Sequence, residues 1–333
     1  MDRTTAEKEW LRRISGGKSA VPQRKPTSDQ TSDQSSSKSR PKPQPTAKKH
    51  GNGFGDIAGM EDLKQRVKEG FINVLQHRDL ADAYGIRPPS MLFYGPAGCG
   101  KTFFAEKMAE EVGIHFIKVV PDDLASTMVH GTQEKIGEVF KNAERHAPAL
   151  LFFDEFDAMV PRRTGNEYNQ HYDSEVNEFL CMLNHASDKG VYVLAATNHP
   201  ERIDKAVLRT GRIDELVYVD MPDHEARKSL FALELAKLPR EEDIDMDRLA
   251  HLTQGFNCSD INYIVKSAAR KKFNEAIGCG DHTLQNITQK QLEEIISGRS
   301  PSVSSRDLRE YQRVHREFSP KDKGGQPASI GFR

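Results

Sequence analysis

Five short apolar runs, separated by longer segments with helical spacing, constrain the fold of this chain more than any other feature. The runs occupy residues 91–94, 114–120, 149–153, 191–196 and 216–219. A strand that is buried on both faces is apolar along its whole length, and such strands alternate with helices in parallel sheets. The middle of the chain is therefore predicted to be an α/β domain built on a parallel sheet.

After Met221 and Pro222 the pattern changes to helical segments alone. We expect a large α/β domain over 54–221 and a small helical lid domain over 222–298. The remaining residues, 299–333, begin with an amphipathic segment and end rich in glycine and proline. They are predicted to form a C-terminal helix followed by a flexible tail.

The start of the chain has a different composition, with almost no large apolar side chain between residues 16 and 53. Such a segment cannot bury enough surface to offset chain entropy, so 1–53 is predicted to be a disordered basic tail. Residues 16–50 contain eight lysines and arginines but only two aspartates, which gives this segment a net charge of +6. One interpretation is a solvated tether, and the other is an arm for nucleic acid or an anionic membrane surface. Residues 4–14 are compatible with a short docking helix or with a frayed terminus.

The location of the protein is constrained by what the sequence lacks. The first residues do not contain the apolar core of a signal peptide, and no apolar run is long enough to span a membrane. The four cysteines lie far apart and have neither metal-type nor disulfide-framework spacing. These features predict a soluble intracellular protein of the cytoplasm or nucleus.

The stretch "YGPAGCGKTFF" contains the spacing G-x-x-x-x-G-K-[ST] of a phosphate-binding loop, and it lies between an apolar run and a helical segment. Glycines at this spacing let backbone N–H groups and the helix N-terminus face a phosphate. The lysine reaches the β- and γ-phosphates of a nucleotide, and the threonine binds Mg²⁺. The candidate nucleotide-binding residues are Gly95, Pro96, Ala97, Gly98, Cys99, Gly100, Lys101, Thr102 and Phe103.

Two further apolar runs end in polar side chains that suit nucleotide hydrolysis. "ALLFFDE" places Asp154 and Glu155 directly after a predicted strand. We expect Asp154 to bind Mg²⁺ together with Thr102, and Glu155 to orient and polarise the attacking water. "LAATN" places Asn198 after the next strand, where its amide would help to position the same water.

Two stretches of the sequence resemble a known family. "YGIRPPSMLFYGPAGCGKT" and "ATNHPERIDKAVLRTGRID" are similar to AAA-type ATPase modules of the AAA+ superfamily. The likeness extends over residues 54–318 and is greatest to valosin-containing-protein, proteasomal ATPase and katanin/spastin modules. It implies a P-loop NTPase domain with five parallel strands, a helical lid, and a hexameric homo-oligomer that binds ATP between subunits.

Several site residues follow from this resemblance alone. Asp56 and Gly59 in "DIAG" match positions that line the adenine pocket. Arg209 and Arg212 in "RTGR" match the arginine fingers, which would reach the γ-phosphate held by the neighbouring subunit.

The resemblance also assigns residues to the lid and to a central pore. Gly255 and Asp260 in "GFNCSD" match the start of the lid helix that touches the nucleotide. Met128 and Val129 match the pore loop, where an aromatic residue is usual, so they are expected to grip a threaded polypeptide less firmly.

A cysteine, Cys99, stands in the loop where the family usually has threonine. Oriented amides and a helix N-terminus favour a thiolate, which would make this side chain reactive. The alternative is an inert small side chain.

Taken together, these features predict a Mg²⁺-dependent ATP hydrolase that remodels or disassembles protein complexes as a ring oligomer, on a protein client that the sequence does not name. Two alternative functions are compatible with the same sequence. One is a nucleic-acid-stimulated remodelling ATPase that uses the basic N-terminal tail. The other is a scaffold that is regulated by ATP and turns over little.

Overall fold

A computed structural model of the chain describes residues 51–124, 131–162, 179–209, 211–278 and 284–318. Its strands are β1 (Met91–Tyr94), β2 (His115–Val119), β3 (Ala149–Phe153), β4 (Val191–Thr197) and β5 (Glu215–Tyr218). They form one sheet in the order β2-β3-β4-β1-β5, and every pairing between neighbours is parallel. The predicted α/β fold with a five-stranded parallel sheet is confirmed.

The helices of the large domain lie before β1 and between the strands. They are α1 (Glu61–Val67), α2 (Asn73–Gln76), α3 (Arg78–Ala83), α4 (Lys101–Val112), α5 (Pro121–Leu124), α6 (Gly131–Arg145), α7 (Phe156–Met159) and α8 (179–186). A short π-helical stretch, Lys68–Ile72, joins α1 to α2.

After the last strand the described chain is helical, as expected. Its helices are α9 (His224–Leu235), α10 (Met246–Leu252), α11 (Cys258–Gly278), α12 (Gln289–Ser297) and α13 (Ser305–Phe318). Phe231, Leu249, Ile264 and Leu292, one from each of α9 to α12, are buried in one shared cluster. This helical region therefore has an apolar core of its own, while the exact boundary at residue 222 stays a prediction.

The sheet has an apolar layer on each face because successive side chains of a strand point to opposite faces. In β3, Leu150 and Phe152 pack on the face that α4 covers. Leu151 and Phe153 pack on the other face, with Phe140 of α6. The uninterrupted apolar sequence of β3 is thus explained by burial on both sides.

None of the helices in the described ranges combines the length and apolar character that crossing a membrane requires.

Helix α13 returns from the helical region to the sheet and packs at the ends of β1 and β5. The His315 ring stacks on Tyr218 at 4.3 Å between ring centroids, and its Nδ1 lies 2.8 Å from the Tyr94 hydroxyl. Burial lowers the pKa of His315, and the nearby carboxylate of Asp220 partly opposes this shift. Neutral histidine is thus the form that this contact accommodates.

Acidification is expected to weaken the docking of α13. The His315 pKa is lower in the folded chain than in the unfolded chain, so the unfolded chain binds the proton first as pH falls. The stability contribution is complete above the ordinary histidine pKa of 6.5 and declines below it. Thermal unfolding between pH 7.5 and 5 should therefore show a smaller acid destabilisation in His315→Phe than in the wild type. His251→Phe, at an exposed position of α10, is the control; equal acid sensitivity in all three proteins would contradict this account of the contact.

Candidate active site

The carboxyl ends of three neighbouring strands bring the predicted site residues to one edge of the sheet. β1 pairs with β4 through Tyr94 and Thr197, and β3 pairs with β4 through Phe153 and Ala195. The residues that directly follow these strands are the loop from Gly95, the Asp154–Glu155 pair and Asn198. Loop, acidic pair and amide therefore lie at a common edge, although they are far apart in the sequence.

The loop after β1 is shaped by its glycines, which have positive φ angles at Gly95, Gly98 and Gly100. A Cβ atom on Gly95 would lie 2.2 Å from the carbonyl oxygen of Val219, and one on Gly98 would lie 2.5 Å from Nδ2 of Asn257. Side chains cannot be accommodated at such distances. The loop is thus held closely between the end of β5 and the start of the lid helix α11 before α4 begins at Lys101.

Lys101 is buried beneath this loop, with 8% of its surface exposed. Its Nζ donates hydrogen bonds to the carbonyl oxygens of Gly95 and Pro96, at 2.8 Å each. Burial lowers the pKa of Lys101 to about 8. Within the described residues the hydrogen-bond partners of this buried ammonium group are neutral carbonyls, so an anion in the loop would stabilise its charge.

The carboxylate of Asp154 lies next to the first turn of α4. Thr102 Oγ1 donates a hydrogen bond of 3.1 Å to Asp154 Oδ2, and the ammonium group of Lys118 lies 2.8 Å from the same oxygen. A hydroxyl and a carboxylate oxygen in contact are the hard ligands that Mg²⁺ prefers. The two residues predicted to hold the metal therefore fit that ion in both chemistry and proximity.

Glu155 adopts an unusual backbone conformation, with a φ angle of +51° in the left-handed region. It is exposed, and it lies between the end of β3 and the start of α7. Non-glycine residues with such angles are concentrated at functional sites, where the surrounding structure holds them. Its neighbour Asp154 accepts the Glu155 backbone N–H at 3.1 Å and so contributes to this hold.

A cavity of about 200 Å³ adjoins the loop. Three segments of the chain form its wall: the stretch around Asp56, the loop with the start of α4, and the lid helices α9 and α11. The predicted residues that line it are Asp56, Gly98, Cys99, Gly100 and Phe103. A larger cavity of about 510 Å³ lies at the opposite edge of the sheet, and within the described chain its lining includes none of the predicted site residues.

Three residues that the resemblance assigns to the nucleotide lie outside the lining of the smaller cavity. Gly59 approaches the lid closely, since a Cβ there would lie 2.5 Å from Cβ of Ala226. Gly255 has a φ of +82° in the turn that leads into α11. Asp260 is fully buried and accepts hydrogen bonds from Arg299 and Ser302. Hydrogen bonds from these residues lower the Asp260 pKa against the opposing effect of burial.

Two residues of the lid that we did not predict hold the loop directly. Asn257 Nδ2 donates to the carbonyl oxygen of Ala97 at 3.0 Å, and the backbone N–H of Ser259 donates to that of Gly98 at 3.1 Å. Asn257 is buried, and its Oδ1 accepts the backbone N–H of Asp260. An asparagine just before a helix predicts an N-cap of that helix. Its hydrogen bond to Ala97, which is far away in the sequence, has no local sequence signal.

Of the two interpretations of Cys99, the structure supports the inert small side chain and not the thiolate. Its side chain is completely buried, and burial raises the pKa of its thiol to about 12. Loss of hydration disfavours the charged form more than the nearby ammonium group of Lys101 favours it. Cys99 is therefore a protonated packing residue beneath the loop, in contact with Met221 at 3.6 Å between the two sulfur atoms.

The two predicted finger arginines lie in the connection between β4 and β5. Arg209 is exposed, whereas Nη1 of Arg212 donates to the carbonyl oxygen of Ala206 at 2.6 Å. Neither lines the cavity beside the loop, as far as the described residues extend. The predicted pore residues, Met128 and Val129, lie outside the described residues.

Comparison with known proteins adds independent evidence. Residues 91–221 match the ATPase family associated with various cellular activities (AAA). The chain is 33% identical over 273 residues to a cell division cycle protein 48 homolog of Archaeoglobus fulgidus, an alignment that covers 79% of this chain and 37% of that protein. It is 34% identical over 241 residues to a putative cell division cycle ATPase of Plasmodium falciparum, covering 72% of this chain and 19% of that protein.

The chain thus spans well under half of the length of either relative. The residues that match the family, 91–221, include the phosphate-binding loop, the acidic pair and the five parallel strands described above. The chain contains an ATPase module of the AAA family.

Proposed function

We propose that this chain hydrolyses ATP at the carboxyl edge of its sheet and uses the energy to remodel or disassemble protein complexes as a hexameric ring. The observation that carries the first part is the meeting of Lys101, the Thr102–Asp154 pair and Glu155 at one edge. These residues supply a phosphate counter-charge, hard oxygen ligands and a carboxylate that can polarise water.

Lys101 is the residue that would bind the β- and γ-phosphates. Its ammonium group is already oriented by the carbonyl oxygens of Gly95 and Pro96. Little reorganisation is then needed when a phosphate arrives, and the low local polarity strengthens the attraction. The phosphates would also accept hydrogen bonds from the N–H groups at the start of α4.

Thr102 and Asp154 would hold Mg²⁺ between the loop and β3. When bound, this ion neutralises charge on the phosphate oxygens. Lys118 now contacts the same carboxylate oxygen of Asp154. It can remain nearby as a second cation beside the site.

Glu155 would accept a proton from the attacking water, and Asn198 would help to position that water. Both side chains follow strands that are adjacent in the sheet, β3 and β4. An exposed carboxylate at this edge can accept the hydrogen bond of a water molecule. Its strained backbone fixes the direction from which the side chain approaches.

The adenine ring would occupy the cavity beside the loop. Lid residues form part of the wall of this cavity, and Asn257 and Ser259 of the lid donate hydrogen bonds to the loop. A nucleotide bound in the cavity would therefore affect the contact between the lid and the loop. This contact gives a physical route from nucleotide state to the orientation of the lid. Exposed Arg209 would reach the nucleotide of a neighbouring subunit and so make hydrolysis depend on assembly.

Ring formation is tested with Glu155→Gln, which is expected to keep ATP bound without hydrolysing it. Sedimentation velocity with Mg²⁺-ATP should show a species of six protomers, while Lys101→Ala under the same conditions should assemble less. A monomer at every protein concentration, with ATP shown to be bound, would contradict the ring. Remodelling is tested next by whether a protein retained by Glu155→Gln in ATP is released by the wild type upon hydrolysis.

A further inference from the structure

Strand β4 is apolar up to its last residue, a buried threonine whose hydroxyl makes two hydrogen bonds. Thr197 is 2% exposed. Its Oγ1 donates to Oδ1 of Asp157 at 2.5 Å and accepts the backbone N–H of His199 at 2.8 Å. A buried hydroxyl costs free energy unless it is paired, and here both its donor and its acceptor capacity are used. The hydroxyl therefore joins the end of β4 to a second part of the chain.

The register of the sheet explains why Thr197 and Asp157 meet. The pairing of β3 with β4 ends at Phe153 and Ala195, so β4 continues for two residues beside the turn that follows β3. Asp157 lies in that turn, at the second position of helix α7. Since side chains of a strand alternate between faces, Thr197 shares the face of Ala195, where Phe153 and Phe156 are also packed. The hydroxyl and the carboxylate thus meet at the margin of this apolar layer.

The hydrogen bonds of Thr197 fix the backbone on each side of the proposed water site. The bond from the N–H of His199 to the Thr197 hydroxyl spans Asn198 and closes a turn around it. Asp157 lies two residues after Glu155, whose left-handed backbone has to be held by its surroundings. The Thr197–Asp157 bond therefore ties the segment that carries the proposed general base to the segment that carries the proposed water-positioning amide.

We propose that Thr197 and Asp157 are positioning residues for ATP hydrolysis, which set the distance and the angle between Glu155 and Asn198. The attacking water has to contact both of these side chains at once, and a misplacement of about 1 Å can cost about 100-fold in rate. Neither Thr197 nor Asp157 is among the described residues that line the cavity beside the loop, so nucleotide affinity should not depend on their bond. The inference rests on the proposed function, since it requires a water held by Glu155 and Asn198.

The test separates the rate of hydrolysis from the binding of ATP. Thr197→Val removes the hydroxyl and keeps the shape of the side chain. Its single-turnover hydrolysis should be about 10–100-fold slower than that of the wild type, while its affinity for ATP should stay within about twofold. Thr197→Ser keeps the hydroxyl and should hydrolyse ATP within about threefold of the wild-type rate. Thr288→Val is the control, because it removes a hydroxyl that caps helix α12 in the lid; it should hydrolyse ATP at the wild-type rate.

A double-mutant cycle tests whether the two groups act together. Asp157→Leu removes the acceptor and should slow hydrolysis about as much as Thr197→Val. The two substitutions combined should slow it little further, since the same bond is lost in each case. In an Asn198→Ala background the additional loss from Thr197→Val should be smaller than in the wild type, because the amide that the hydroxyl positions is already absent. A general loss of folding would add its full effect in both experiments.

The outcomes distinguish this inference from the function on which it rests. Hydrolysis by Thr197→Val at the wild-type rate overturns it, as does a Thr197→Ser variant that is as slow as Thr197→Val. Losses that multiply in full in the cycle, or a loss of ATP affinity as large as the loss of rate, also overturn the positioning role. All of these results leave the proposed function standing. If Glu155→Gln hydrolyses ATP at the wild-type rate, the proposed function itself is wrong.

Discussion

Replacing Arg209 by alanine should lower the rate of ATP hydrolysis by about 10³–10⁵-fold and leave ATP binding nearly unchanged. An arginine finger contributes this much in related nucleotide hydrolases, because it stabilises charge that develops on the transferred phosphoryl group. The loss corresponds to about 4–7 kcal/mol of the barrier. Arg212→Ala is expected to hydrolyse ATP poorly as well, although part of that effect would come from losing its hydrogen bond to Ala206. The measurements are steady-state hydrolysis and equilibrium ATP binding on each variant.

A matched control is available in the same connection between β4 and β5. Arg202 is also exposed there, and Arg202→Ala should retain normal turnover. If the finger acts on a neighbouring subunit, mixing Arg209→Ala with Lys101→Ala protomers should restore some activity, since one supplies the pocket and the other the arginine. Turnover that is independent of protein concentration, together with no recovery on mixing, would show that the site is not shared.

Replacing Glu155 by glutamine should reduce hydrolysis by about 10²–10⁴-fold, the usual contribution of a general base. ATP binding should persist, because glutamine retains the shape of the side chain and the phosphate contacts belong to other residues. The backbone strain at φ +51° is the same for both side chains, so the folded structure should be unaffected.

Single-turnover hydrolysis and nucleotide binding measured on the same preparation test this expectation. Glu201→Gln, an exposed glutamate soon after β4, controls for the loss of one negative charge near this edge of the sheet. A Glu155→Gln protein that hydrolyses ATP at the wild-type rate would remove Glu155 from the mechanism.

The sheet could be predicted from the sequence because burial on both faces leaves a local record. β3 is apolar along its whole length, β4 is apolar up to its last residue, Thr197, and every residue of both strands is buried. The phosphate-binding loop could also be predicted from the sequence, because the positive φ angles within the loop itself require its glycines. The acidic residues after β3 and the amide after β4 could be assigned to the site because ligands bind at the carboxyl ends of parallel strands.

The lid contacts could not be read in the same way, because they join residues that are distant in the sequence. Asn257 and Ala97 are 160 positions apart. The burial of Cys99, which favours the inert side chain over the thiolate, likewise cannot be read from the local sequence of the loop. The hydrogen bonds of Asp260 with Arg299 and Ser302, in the segment before α13, also join residues that are distant in the sequence.

Residues assigned by resemblance alone remain predictions of a different kind. Arg209 and Arg212 are predicted to act on a second copy of the chain, so the geometry of one copy does not bring them to the loop. The structure of one chain shows the contacts that this chain makes with itself. A residue that acts on a second copy, as proposed for Arg209, is simply exposed in the single chain.

The most direct test of the account is an ATP-binding titration of the wild-type chain and Lys101→Ala. Lys101 is the buried ammonium group held by the carbonyl oxygens of the loop, and hydrogen bonds to charged groups contribute more than neutral ones. ATP binding is expected to be about 10–100-fold weaker in Lys101→Ala and unchanged in Lys141→Ala, at an exposed lysine of α6. Equal affinity of the wild type and Lys101→Ala, with both proteins folded, would contradict the claim that the loop after β1 binds the nucleotide.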